Sequence, residues 1–201
     1  MTLKPEKSPV QGRKPDAPTG RVFLERWSPR AFSSKPVEAE TLASLFEAAR
    51  WAPSCYNEQP WLFLYASKEP ELSRFKEILV EFNQSWNAPV PVLAFLVARK
   101  AFRRNDKPNA WAEFDCGAAW MSLALQAHSM GLATHAMAGF DADKAYEVLG
   151  VPRETHTVVC AISIGYPGQR EDLPEKMRER EEPSGRDSLA EIAIEGSFPT
   201  S

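Results

Sequence analysis

The chain is 201 residues long, with 24 Lys plus Arg against 27 Asp plus Glu, a net charge of −3 and 43% hydrophobic residues. At roughly 100 to 200 residues per domain this is room for one core, and the apolar content suffices to bury about 70% of the surface that the unfolded chain exposes, which excludes disorder as the main state. The acidic balance creates no global positive field for nucleic acid or an anionic membrane surface, so any basic site must be local.

Residues 1–7 carry charge and proline without the apolar centre of a secretory signal. Residues 1–18 hold Pro5, Pro9, Pro15 and Pro18 among polar neighbours, the composition of a flexible arm. In 41–51, Leu42, Leu45, Phe46 and Ala49 recur at i, i+3, i+4 and i+7, which predicts an amphipathic helix ended by Pro53. Residues 61–66, WLFLYA, read as a buried strand. Helical spacing returns over 71–82 through Leu72, Phe75, Ile78 and Leu79. Residues 91–98 form a second strand, apolar on both faces, which calls for helices on each side of the sheet. The longest apolar stretch, 90–98, is far short of the ~20 residues that span hydrocarbon.

The helix expected over 114–130 is apolar all round, with Ala118, Trp120, Met121, Leu123, Leu125 and Met130 among its residues. Such a helix lies in the middle of a large core or between subunits, and in a chain this short the second reading gains weight. Asp at Leu123 is the substitution that this reading suggests as a test. Gly131 suits a left-handed cap, 132–138 a short strand, Asp141 an N-cap for a helix to Leu149, and the β-branched run 157–164 a last strand. Residues 169–186 are charged and proline-punctuated, yet Leu189, Ile192, Ile194 and Phe198 follow, so the tail is expected to dock, on this chain or on a partner. The boundaries read as an arm over 1–18, a core over 19–168 and a linker with a terminal arm over 169–201.

Cys55, Cys116 and Cys160 are odd in number and widely spaced, a reduced, cytoplasmic inventory; they and His128, His135 and His156 lack ligand spacing, so no metal is expected. Glycine-rich phosphate loops and the G-x-S-x-G elbow are absent. Three segments carry candidate chemistry. In 26–32, Arg26, Ser28 and Arg30 place two guanidinium groups and a hydroxyl within five residues, a cluster sized for one phosphate, although a solvated helix end explains it as well. In 52–61, prolines fix both ends of a loop carrying Ser54, Asn57 and Gln59; a plain connecting turn is the competing reading. In 136–141 a strand ends at Gly139, where backbone can approach a ligand closely.

Taken together, these segments resemble the flavin-dependent (FMN) nitroreductase family. Arg26, Ser28, Arg30 and Phe32 meet an R-x-S-x-[RK]-x-[FY] pattern; 52–61 meets [AS]-P-S-x-x-N-x-Q-P-W; Gly131, Leu132, Thr134, Gly139, Phe140 and Asp141 meet [GA]-L-x-T...G-F-[DS]. A looser late match, P-S-G-R at 183–186, returns Arg186, with Asp187-Ser188 where relatives often carry Lys-Pro.

The resemblance implies an α+β fold, a mixed β-sheet flanked by helices, in an intertwined homodimer with the C-terminal arm exchanged. It assigns Arg26, Ser28, Arg30 and Arg186 to the FMN phosphate and ribityl chain. Pro53, Ser54, Cys55 and Asn57 would come from the partner subunit, and the main chain at Met137, Ala138 and Gly139 would face the flavin ring. Ala138 stands where many relatives have Glu. No side chain is implied as acid or base: NADH or NADPH would pass hydride to flavin N5 and an electron-poor acceptor (nitroaromatic, quinone or conjugated carbonyl) would collect it, in ping-pong fashion. A flavin-binding or storage protein, or a specialised dehalogenase, desaturase or flavin-fragmenting relative, would share the scaffold. The basic segment 99–113, with Phe102 and Trp111, is either a cover over the flavin that suits an anionic or aromatic acceptor, or a surface loop.

Overall fold

The computed structural model describes residues 5–6 and 12–198. Its elements run β1 (Pro5–Glu6), β2 (Thr19–Gly20), α1 (Arg21–Glu25), α2 (Ala39–Arg50), β3 (Trp61–Ala66), α3 (Glu71–Lys76), α4 (Glu81–Asn87), β4 (Val92–Arg99), α5 (Ala112–Ser129), β5 (Ala133–Met137), α6 (Ala142–Leu149), β6 (His156–Gly165), α7 (Glu175–Arg178) and α8 (Leu189–Ile192). The main sheet has the order β3-β4-β6-β5. Its three ladders are antiparallel, whereas the expected mixed sheet needs a parallel pair; the α+β class itself holds.

β4 shows why the sheet is covered twice. Its side chains alternate between faces: Val92, Ala94, Leu96 and Ala98 join one apolar cluster with Leu42 and Leu45 of α2 and Cys116, Ala119 and Leu123 of α5. Leu93, Phe95 and Val97 join the other, with Leu72, Trp86 and Ala145 from α3, α4 and α6. The predicted stripe of α2 is the buried one, Leu42, Leu45 and Ala49. Asp141 caps α6 by accepting from the Lys144 amide at 3.0 Å, and Gly150 ends it at φ 64°.

One expected helix divides. Over 71–82 the apolar spacing is continuous, yet α3 stops at Lys76 and α4 starts at Glu81. The backbone between them pairs with the segment after β5: Val80 N donates to Gly139 O at 3.2 Å and Asp141 N to Ile78 O at 2.9 Å. Tertiary hydrogen bonds override local propensity there.

The all-round apolar helix resolves into two faces. Ala112, Cys116, Ala119, Leu123, Ala124 and Ala127 are buried inside the chain. Phe114 and Met121 are 74% and 42% exposed, and Ala118 and Leu125 continue their stripe half-buried. Leu123 is 0% exposed within one chain, so Asp at that position would wreck the core and say nothing about a partner. Soluble, folded Leu123→Asp protein would contradict this packing. The tail also ends uncovered, with Ile192 71% and Phe198 93% exposed. Among the described residues no helix is long and apolar enough to cross a membrane.

Candidate cofactor site

The turn after α1 carries Arg26, Ser28 and Arg30, and a buried carboxylate fixes its shape. Glu181 Oε1 accepts from the amides of Arg30 at 2.7 Å and Ala31 at 2.8 Å. This turn, β5 and the chain beyond α7 enclose a cavity of about 230 Å³, lined by Arg13, Arg26, Ser28, Arg30, His135, Arg180, Glu182, Ser184 and Arg186. Five arginines thus line the cavity with one acidic residue, Glu182, while the Glu181 carboxylate stands behind the turn. Burial and the proximity of Arg186 press the Arg26 guanidinium below its ordinary pKa; burial, then Arg186 and Arg26, do the same to Arg13. Among the described residues Arg30 Nε is a buried donor without an acceptor, and Glu181 Oε2, on the carboxylate that holds the same turn, is a buried acceptor without a donor. Crowded guanidinium groups are electrostatically incomplete, and an anion such as a phosphate has the charge and acceptor oxygens to complete them. His135 adds no positive charge, since burial holds its pKa below the usual imidazole range; its Nδ1–H donates to Pro29 O at 2.9 Å.

The structure therefore brings together the four predicted residues Arg26, Ser28, Arg30 and Arg186. Arg13, Arg180, His135 and Glu181 escape the sequence reading: His135, Arg180 and Glu181 join the turn from more than 100 positions away, and Arg13, 13 positions before Arg26, meets it through main-chain carbonyls that no side-chain pattern marks.

A second cavity, about 470 Å³, shares Arg30 and Arg180 with the first and is lined also by Phe82, Pro174, Glu175, Lys176 and Met177. Phe82 belongs to α4, the helix against which the Met137–Gly139 segment rests. Met137 is buried, Ala138 exposed, and Gly139 O accepts from Asn83 Nδ2 at 2.8 Å. A Cβ on Gly139 would overlap that same amide nitrogen and press on Val80. Packing against α4 thus accounts for the glycine. Gly139→Ala should cost about 1–3 kcal/mol of stability as an overpacked contact, a drop of several degrees in thermal midpoint at roughly 2–4 °C per kcal/mol; an unchanged midpoint would sink the packing explanation.

Pro53, Ser54, Cys55 and Asn57 lie elsewhere. Their loop is tied to the N-terminal end of α5, where Asp115 Oδ2 accepts from Cys55 N at 3.1 Å, while Ser54 Oγ accepts from Gln59 N at 3.0 Å. Tyr56, Asn57 and Gln59 all have positive φ, 53°, 57° and 47°, a costly run for side-chain-bearing residues. Buried Glu58 holds it in place: Oε2 accepts from Arg103 N at 2.7 Å and from Arg99 Nη2 at 3.2 Å. Arg104 sits 3.8 Å over the Tyr56 ring, with Phe102 beside it. The basic segment is thereby joined to this loop.

The Arg103 amide, then Arg99, keep the Glu58 carboxyl below its ordinary pKa. A lowered folded-state value stabilises above the unfolded one, near 4.3, and the contribution is lost as pH falls through the folded value. Glu58→Gln should therefore flatten the acid limb of thermal stability below about pH 4.3; an acid limb identical to that of the parent would contradict the anchoring role.

Within one chain the two halves stay apart. Cys55 contacts Asp115, near the start of α5, whereas Glu25, next to Arg26, lies 3.6 Å from His128 near its end. Thirteen residues of helix separate these points, roughly 20 Å at 1.5 Å per residue.

The family model of the nitroreductase family matches residues 24–88 and 79–166. A crystal structure described as an oxidoreductase containing FMN aligns at 40% identity with a TM-score of 0.91, over 96% of this chain and all of the other. A structure described as an FMN-dependent nitroreductase from Clostridium difficile R20291 aligns at 23% identity and TM-score 0.66, over 87% of this chain and 96% of that one, a likeness of fold. A protein of Archaeoglobus fulgidus with the provisional name NADH dehydrogenase/NAD(P)H nitroreductase is 27% identical over 159 residues, covering 77% of this chain and 88% of its own.

Proposed function

The chain belongs to the nitroreductase family, and we propose that it is an FMN-dependent NAD(P)H oxidoreductase which, as a homodimer, passes hydride equivalents from NADH or NADPH to an electron-poor acceptor such as a nitroaromatic, quinone or conjugated carbonyl. The observation that carries this reading is the arginine cavity: five arginines line it with one acidic residue, Glu182, and two of them, Arg30 and Arg180, also line a larger, more apolar cavity. That pair of volumes fits a molecule with a phosphate at one end and a planar ring at the other. It favours FMN over FAD, whose phosphates both lie mid-molecule. When bound, the flavin supplies the two-electron chemistry.

The chain's own residues bind and orient. Arg26, Ser28, Arg30 and Arg186 hold the phosphate, with Glu181 fixing the amides of the turn that presents the first three. The main chain at Met137, Ala138 and Gly139, braced on α4, carries the ring, and its amides are the hydrogen-bond donors for the ring edge. Exposed Ala138 contributes no carboxylate where many relatives have Glu, so the pocket is less acidic toward reductant and acceptor. Pro53, Ser54, Cys55 and Asn57 reach the site from the partner subunit, which removes the 20 Å gap within one chain. Reductant and acceptor then use the same open face in turn, which is ping-pong turnover.

Purified protein should be yellow, release FMN on denaturation, and bleach near about 450 nm under anaerobic NADH or NADPH, the expectation for a bound flavin that accepts hydride. Stoichiometric FAD, or no flavin after reconstitution, would overturn the proposal. Bound FMN that neither nicotinamide bleaches would favour a flavin-storage protein.

A further inference from the structure

We propose that Arg13 is a positioning residue of the phosphate site, and that the segment 13–16 is therefore part of the cofactor-binding machinery. The inference rests on the FMN reading above. Arg13 makes three hydrogen bonds to backbone carbonyls. Nη1 donates to Leu24 O and to Arg26 O, both at 2.8 Å, and Nε donates to Ser184 O at 2.9 Å. One guanidinium thus joins the arm, the end of α1 where Arg26 emerges, and the C-terminal segment that carries Arg186, a link across 171 positions of sequence. Arg186 turns back on the same segment, with Nη1 donating to Gly185 O at 2.6 Å and to Ser184 Oγ at 3.2 Å. A second tie reinforces the join, because Asp16 Oδ2 accepts from Leu189 N at 2.7 Å.

The charges explain why a clamp is needed. Arg13, Arg26 and Arg186 repel one another across the cavity, and the C-terminal segment is held there without a helix or strand of its own between Glu179 and Asp187. Left free, it would carry Arg186 away from Arg26. The forked, planar guanidinium bonds three carbonyls at once on fixed vectors, which a lysine ammonium on a flexible stem does not reproduce. Because all three bonds go to main chain, Arg13 sets where Arg26 and Arg186 stand, while its charge adds to the field that an anion meets.

The test compares FMN with riboflavin, which has the same ring and no phosphate, on apo-protein carrying Arg13→Ala or Arg13→Lys. Arg13→Ala should weaken FMN binding at least about tenfold, the scale of a misplaced charge-assisted contact. It should leave riboflavin affinity within about twofold and flatten the salt dependence of FMN binding. Arg13→Lys should fail to rescue, and hydrogen exchange of the apo-protein should speed up at residues 184–189 in both variants. Equal losses for FMN and riboflavin would reduce Arg13 to a general fold contact, and full rescue by lysine would assign it a charge role only; either result overturns the positioning role. If the parent protein binds neither flavin, the FMN reading itself falls.

Discussion

Met121→Asp should give a folded monomer that does not retain flavin. Met121 is 42% exposed in the single chain and sits on one stripe of α5 with Phe114, Ala118 and Leu125, so a carboxylate there is solvated as long as the chain is alone. In a homodimer joined through this face it is buried without a partner, and two-fold symmetry introduces it twice. An unpaired buried charge costs enough to weaken association about a hundredfold or more. Sedimentation should report a 22.5 kDa particle, with unchanged far-ultraviolet dichroism and lost FMN. Loss of secondary structure would mean that the exposed stripe serves the chain's own core; an intact flavin-loaded dimer would remove α5 from the interface.

Arg26→Ala carries the second large effect. Arg26 is half-buried beside Ser28, which its Nη1 approaches at 3.4 Å, and it shares its cavity with Arg186. Removing a charge-assisted contact to phosphate should cost roughly 1.5–3 kcal/mol, or about tenfold to more than a hundredfold in FMN affinity. Riboflavin titration separates this from collapse of the ring pocket. Unchanged FMN affinity would take Arg26 out of the site.

Much of this arrangement is legible in the amino-acid order. α2, β4 and β6 announce themselves because each buries a face whose period is its own, 3.6 for the helix and 2 or continuous for the strands; 61–66 is the expected strand but not a buried one, since β3 is the sheet edge and Leu62 and Tyr65 are each 49% exposed. Arg26, Ser28 and Arg30 are legible because they come from one turn. Arg13 is not: its partners are carbonyl oxygens, which every residue carries, so no side-chain pattern betrays them, and a proline-rich arm reads as flexible whether or not one of its side chains is bonded. Glu181 and His135 are hidden for the same reason, since each meets the turn through its backbone. The break between α3 and α4 depends on Gly139, about 60 residues away, and no local window contains it. The faces of α5 illustrate a different limit, because apolar residues all round a helix do not tell which side belongs to the chain's own core and which to a neighbour.

In the proposed homodimer each flavin site takes its phosphate half from one chain and its loop half from the other. Co-expression of Arg26→Ala with Asn57→Ala tests it directly, once each homodimer alone has been found unable to hold FMN. In the mixed dimer one site unites both damaged halves and the other unites both intact halves. Flavin should return at one site per mixed dimer, read as absorbance near about 450 nm from the protein-bound ring. No recovery in a mixed dimer of proven composition would contradict it, because sites contained within single chains would all remain damaged.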